Sequence, residues 1–163
     1  MRRVVVLGRG GAGKSTFAGR LGVATGLPVV ELDRYFWGPD LAPTPRDRWA
    51  SVQHDLTAGA GWILDGDLAH HDALEVRLRR ADTIVVLDFS LWRCAWRAVR
   101  RSRANAEFWR WVIHYRRRGL PPVRAAIADY APGADVYTFH TPRALERFLE
   151  RIEARSAGRD GAE

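Results

Sequence analysis

Lysine is almost absent from this chain: of its 26 basic residues, 25 are Arg, and the one Lys is Lys14. Cysteine is as scarce. Cys94 stands alone among 163 residues, which excludes an intramolecular disulfide and fits a reducing compartment. Long apolar runs are missing too. The run Val4-Val5-Val6-Leu7 behind Arg2 and Arg3 meets glycine after four residues, too short for the core of a signal peptide, and no stretch is long enough to span a bilayer. These absences set the expectation of a cytoplasmic protein with no membrane partner.

With 47% hydrophobic and 10% aromatic residues, the chain can bury one core. A single domain over residues 1–155 is expected, followed by a small, polar, disordered tail at 156–163. Net charge is +7, but residues 93–118 hold nine Arg and one Glu, a sum of +8 that leaves −1 on everything else. Such a local cation cluster suits polyphosphate, nucleic acid or an acidic surface.

Strand patterns alternate with helical ones, which predicts an α/β fold around a parallel sheet. The expected strands are 3–7, 28–32, 62–65, 82–88 and 135–139. Phe17, Ala18 and Leu21 predict a helix after the first strand. Thr44 as N-cap and Pro45 at the first helical position predict another, with Trp49, Val52 and Leu56 on one face and an end near Gly59 and Gly61. A helix is expected over 69–80 and a longer one after Ser90, where Trp92 and Trp96 share a face. Phe108, Trp111, Val112 and Tyr115 form a further stripe, and Pro121-Pro122 is expected to break the chain before a short helix. Thr141 and Pro142 start the last helix, lined by Leu145, Phe148, Leu149 and Ile152.

The stretch Leu7-Gly-Arg-Gly-Gly-Ala-Gly-Lys-Ser-Thr16 satisfies two phosphate-binding patterns at once. Gly8, Gly10 and Gly13 spell the dinucleotide-binding turn, and Glu31 and Asp33 lie about 20 residues on, where that turn expects its ribose carboxylate. Gly8 through Gly13, Lys14 and Ser15 spell a P-loop. Lys14 and Ser15 decide for the P-loop, which needs a flexible cation at the β and γ phosphates and a hydroxyl on Mg²⁺. A compact ammonium fits between phosphate oxygens where a planar guanidinium does not, so a chain that otherwise writes Arg has a reason to keep Lys here. The nucleotide site is Gly8, Gly10, Gly11, Ala12, Gly13, Lys14, Ser15 and Thr16, taking ATP or GTP with Mg²⁺.

In a parallel sheet the ligand lies beyond the carboxyl ends of the strands. Asp33 and Asp65 end the second and third strands. Transfer to an alcohol needs a group to accept the hydroxyl proton and a group to hold the metal's water shell.

Taken in order, GRGGAGKST, ELDRYFW, WILDGD, ADTIVVLDFS and the Arg-rich segment after it resemble the P-loop small-molecule kinases related to adenylate, shikimate and gluconate kinases, and most of all the adenylate kinase-like "topology modulation" group. The resemblance covers nearly the whole chain. It implies a three-layer P-loop NTPase fold with a five-stranded parallel sheet, like the nucleoside-monophosphate kinases, and a helical Arg-rich lid over about 91–122. It implies that Ser15 ligates Mg²⁺, that Asp65 organises the metal's waters, and that Asp33 serves as base beside the acceptor hydroxyl or shares the metal. Arg93, Arg97, Arg100 and Arg101 line one helical face. The resemblance makes Arg97 and Arg101 the lid cations that close on the phosphates. Asp88 is expected to brace the loop into that lid and to stay out of the chemistry.

One departure bears on the acceptor. Adenylate kinases follow this "LDG" with an aromatic, Pro and Arg that grip a monophosphate, whereas here Asp67-Leu68-Ala69-His70-His71 follows. Tyr35, Phe36 and Trp37 offer an aromatic wall instead, with Arg46 and Arg48 for any negative charge. Arg116-Arg117-Arg118 either meets an anionic acceptor or is solvated, Trp109 and Trp111 read as packing, and His70 with His71 lacks a third metal ligand. The expected reaction moves the γ-phosphoryl of ATP or GTP to a hydroxyl of a small molecule that is a metabolite, nucleoside-like or antibiotic-like. A nucleoside monophosphate kinase and a non-kinase NTP-binding regulator acting on nucleic acid are the alternatives, the latter without any nucleic-acid-binding motif beside the charge.

Overall fold

The computed structural model describes residues 1–38, 42–68, 72–92, 94, 109 and 113–160. Five parallel strands form one sheet: β1 (Arg3–Gly8), β2 (Val29–Glu31), β3 (Trp62–Asp65), β4 (Thr83–Leu87) and β5 (Asp135–Phe139), in the order β2-β3-β1-β4-β5. All five lie where the apolar runs predict them. β1, β3 and β4 are buried almost end to end, as central parallel strands covered on both faces must be.

Side chains alternate between the two faces. Val5, Leu7, Leu64, Ile84 and Val86 join Phe36, Trp49 and Ile127 in one core cluster, while Val4, Val6, Ile63, Val85 and Leu87 join Phe17, Leu21 and Phe148 in the other. The covering helices are α1 (Lys14–Thr25), α2 (Asp33–Phe36), α3 (Arg46–Leu56), α4 (Leu74–Leu78), α5 (Leu120–Tyr130) and α6 (Pro142–Asp160). α1 and α6 cover the second face, so the molecule has three layers.

Several sequence expectations shift. Thr44 does not cap α3: its hydroxyl donates to the Phe36 carbonyl at 2.5 Å, and Pro45 takes the N-cap position. Pro121 and Pro122 do not break the chain. A π-helical turn, Tyr115–Gly119, runs straight into α5, and the prolines occupy its first turn, where a missing N–H leaves no bond unmade. Thr141 does cap the last helix, accepting from the Ala144 N–H at 3.3 Å. That helix continues to Asp160, past Ser156 where a disordered tail was expected, because the residues after it include good helix formers and no proline. Trp92 is 85% exposed, so its share of the Trp92/Trp96 face is not core. Among the described residues no helix is long and apolar enough to cross a membrane.

Candidate nucleotide and acceptor site

β1 ends in Gly8, whose φ of +141° disfavours any L side chain. A Cβ there would lie 2.6 Å from the Leu87 carbonyl oxygen, so glycine is what lets the chain leave the sheet against β4. The loop then turns on an Ala12 N–H to Arg9 carbonyl bond of 3.2 Å and enters α1 through Gly13, in the left-handed region at φ +92°. α1 has no side-chain cap and no acidic residue in its first turn. Its free N–H groups and positive dipole end therefore lack a partner within their own helix, the condition under which a helix terminus holds an anion. By contrast α6 is capped.

Lys14 folds back across the loop: its Nζ donates to the Gly8 carbonyl at 2.9 Å and reaches the Arg9 carbonyl at 3.4 Å. Ser15 and Thr16 are exposed at the first turn, Gly11 is half-buried, and Gly10 and Ala12 are buried.

Register brings the carboxylates to this loop. Val6 of β1 pairs with Asp65 of β3, which pairs with Glu31 of β2, so the ends of three strands meet. The Asp65 carbonyl accepts from the Leu32 N–H at 2.9 Å and fixes the turn into α2, whose first residue is Asp33. Asp65 is 4% exposed and its Oδ1 has no hydrogen-bond partner. Burial pushes its carboxyl pKa up, the Lys14 ammonium and the Ser15 hydroxyl pull it down, and the Asp33 and Glu31 charges raise it again. Lys14, Ser15, Asp33 and Asp65 are thus one electrostatic unit. An orphaned buried carboxylate oxygen beside an exposed hydroxyl at a phosphate loop fits a hydrated divalent cation. Among the described residues no group of three or more His, Cys, Asp or Glu side chains is placed to hold a metal.

The expected acceptor residues divide. Tyr35 on α2 is 52% exposed and Trp37, just past its end, is 40% exposed, as Asp33 is also exposed, whereas Phe36 is buried edge-on against Trp49 and belongs to the core. Glu31 is paired with Arg34 at 3.1 Å. Arg46 is drawn away: it bonds the Asp72 carbonyl at 2.5 Å and Glu75 at 2.6 Å, holding α3 to α4. Arg93, Arg97, Arg100, Arg101, His70, His71, Trp96 and Trp111 lie outside the described residues.

Asp88 braces, as expected. Its buried carboxylate accepts from Arg116 Nε at 2.7 Å and faces His140 Nδ1 at 3.3 Å, tying the ends of β4 and β5 to the π-helical turn. That contact accounts for Arg116. Two features escaped the sequence. Tyr115 is buried and its hydroxyl donates to Asp67 Oδ2 at 2.7 Å, joining residues 48 apart in the chain. Arg9, in a variable position of the loop motif, is only 2% exposed. Its one visible signal was a bulky cation among glycines.

No family model matches the chain, and a search of curated proteins by sequence finds no match. Solved structures do match. A sugar kinase from Janibacter sp. HTCC2649 is 20% identical with a TM-score of 0.57, over 96% of this chain and 92% of that one. Shikimate kinase from Acinetobacter baumannii is 16% identical at 0.58, over 95% and 94%. Deoxyadenosine kinase from M. mycoides is 14% identical at 0.58, over 95% and 98%. The chain therefore has the fold of the P-loop kinases along essentially its whole length.

Proposed function

We propose that this chain is a Mg²⁺-dependent kinase that moves the γ-phosphoryl of ATP or GTP to a hydroxyl of a small molecule. The observation that carries the reading is the meeting, at the end of one sheet, of an uncapped α1 N-terminus, Lys14 and a buried Asp65 whose Oδ1 has no hydrogen-bond partner. The fold of known kinases supports it.

In this reading the α1 N–H groups and Lys14 bind the β and γ phosphates. Lys14 exchanges its bonds to the Gly8 and Arg9 carbonyls for phosphate oxygens. Ser15 directly, and Asp65 through water, would hold Mg²⁺, which would supply charge neutralisation as the phosphoryl group moves. Asp33 takes the proton of the acceptor hydroxyl as its oxygen attacks the γ phosphorus; the bond to the bridging oxygen breaks and the nucleoside diphosphate leaves. Tyr35 and Trp37 form the wall against which the acceptor lies. Arg97 and Arg101 are assigned to the transferring phosphate on the family resemblance alone.

The test is transfer of labelled γ-phosphate from ATP and GTP to a panel of monophosphates, sugars, sugar acids, nucleosides and antibiotics, with wild type and Asp33→Asn. Label on one hydroxyl class, reduced roughly 10²- to 10⁴-fold in Asp33→Asn, is expected. Nucleotide binding with no acceptor anywhere would sink the kinase reading.

A further inference from the structure

Arg9 is a buried cation that the mechanism above does not use. Its main chain is pinned within the loop, the carbonyl accepting from Ala12 N–H at 3.2 Å and facing Lys14 Nζ at 3.4 Å. Its guanidinium lies over the Tyr115 ring, 5.8 Å from the centroid. Yet its Nε and Nη1 are buried with no hydrogen-bond partner. The nearby acids are engaged elsewhere: Asp67 accepts from the Tyr115 hydroxyl, and Asp88 accepts from Arg116 and faces His140.

A buried charged group left unpaired is strongly disfavoured, and one that a structure keeps calls for a reason such as a catalytic role or a bound ion. A guanidinium offers a planar fork of N–H donors that matches two oxygens of a carboxylate or phosphate. The site is also built from several elements. Arg9 follows β1, between the segments that follow β3 (Asp67) and β4 (Asp88), and Tyr115 of the π-helical turn lies against its guanidinium. The uncapped N-terminus of α1 opens on the same loop.

We propose that Arg9 is an anion receptor inside the phosphate loop, whose unpartnered Nε and Nη1 bind an oxyanion beside that loop. That oxyanion is either the phosphoryl group in transfer or a carboxylate or phosphate carried by the acceptor. The assignment rests on the kinase reading. It adds to that reading a loop side chain which takes a charge separate from those held by Lys14 and the main chain.

The experiment compares wild type, Arg9→Met and Arg9→Lys by three measurements: affinity for ADP with Mg²⁺, affinity for a non-hydrolysable ATP analogue with Mg²⁺, and the melting shift caused by inorganic phosphate added to the ADP complex. ADP affinity is expected to change less than about threefold, since the α and β phosphates meet other groups. In Arg9→Met either the ATP analogue or the added phosphate is expected to bind roughly tenfold or more weakly, with Arg9→Lys between the two. Loss confined to the analogue assigns the phosphoryl in transfer. Loss confined to free phosphate assigns the acceptor's own anion. The ligand-free Arg9→Met protein should melt no lower than wild type, because an unpaired cation has been removed. If both affinities and the phosphate-induced melting shift are unchanged, or if Arg9→Met melts lower while every anion response persists, Arg9 is a structural prop for Tyr115 and the proposal is overturned. Should Arg9→Met fail to fold, Arg9→Lys carries the same comparison, with a loss of about threefold to tenfold expected for the missing fork. Wild type that binds no ADP would instead defeat the kinase reading, an outcome distinct from normal ADP binding with an unchanged anion response.

Discussion

Asp65 occupies a place where a carboxylate is disfavoured until something cationic arrives. Burial raises its pKa against the pull of Lys14 and Ser15, so in the ligand-free protein it is a source of instability once ionised. The direction follows from linkage. The unfolded chain loses this proton near the ordinary value of 3.8 and the folded chain only at higher pH, so stability falls as pH rises between the two and is level above them. Asp65→Asn should remove that decline. It should leave the ligand-free melting temperature equal or higher, while Mg²⁺-dependent turnover drops by about 10² or more. Thermal melts across pH 3 to 8 and a Mg²⁺ titration of activity check both halves. Asp65 was legible in sequence as a polar residue ending an apolar strand. Its unpartnered Oδ1 was not, because the neighbours that could have bonded it come from other strands.

At the scale of elements, packing decided what propensity left open. Gly8 permits β1 to turn out of the sheet under Leu87, and Gly8→Ala puts a methyl onto a carbonyl oxygen in a backbone region that resists it. A loss of about 1–3 kcal/mol is expected, read as a melting temperature lower by roughly 2–12 °C and as weakened nucleotide binding. α3 and α4 meet over a buried network. Asp72 accepts from Arg77 at 2.6 and 2.8 Å, from Trp49 Nε1 at 3.1 Å and from Gln53 at 3.2 Å, while Arg77 also reaches the Gly66 carbonyl at 3.1 Å. Burial would raise the Asp72 pKa, but the Arg77 charge and these hydrogen bonds bring it below the usual value. A lowered folded pKa stabilises above about 3.8 and is lost as pH falls through the folded value, so this network is an acid-sensitive joint. Asp72→Asn strands the buried Arg77 charge and should destabilise by about 3–5 kcal/mol at neutral pH, measured by urea denaturation. The helix-capping pattern at Thr44-Pro45 located α3 within two residues but expected the hydroxyl to accept from a helix N–H, whereas it donates to the Phe36 carbonyl. A side chain competes for tertiary acceptors that a sequence does not display.

At the scale of the molecule, both core clusters share the same strands, so the two helical layers cannot melt independently of the sheet. One cooperative thermal transition is expected. Nucleotide with Mg²⁺ at a hundredfold over its Kd should add about 2.7 kcal/mol, which for a chain of this size raises the melting temperature by roughly 5–11 °C. Lys14→Ala should abolish most of that shift and lower the ligand-free melt modestly, because it removes two bonds to loop carbonyls and the charge that offsets the buried Asp65. Calorimetric scans of the two proteins with and without nucleotide supply the comparison.

The sequence alone determined the five strands, their parallel sense and the phosphate loop, because each rests on local chemistry: β-branched runs bounded by turns, and glycines, an ammonium and a hydroxyl at fixed spacing. Only the tertiary structure decided which charges are free. Arg46, an acceptor candidate by position, is bound to Glu75 and Asp72; Arg116, one of three adjacent arginines, belongs to Asp88; and Arg9, hidden in a motif's variable position, is buried with donors unpaired. Pairing is a property of side chains that meet from distant segments, and burial sets how strongly an unpaired one calls for a ligand.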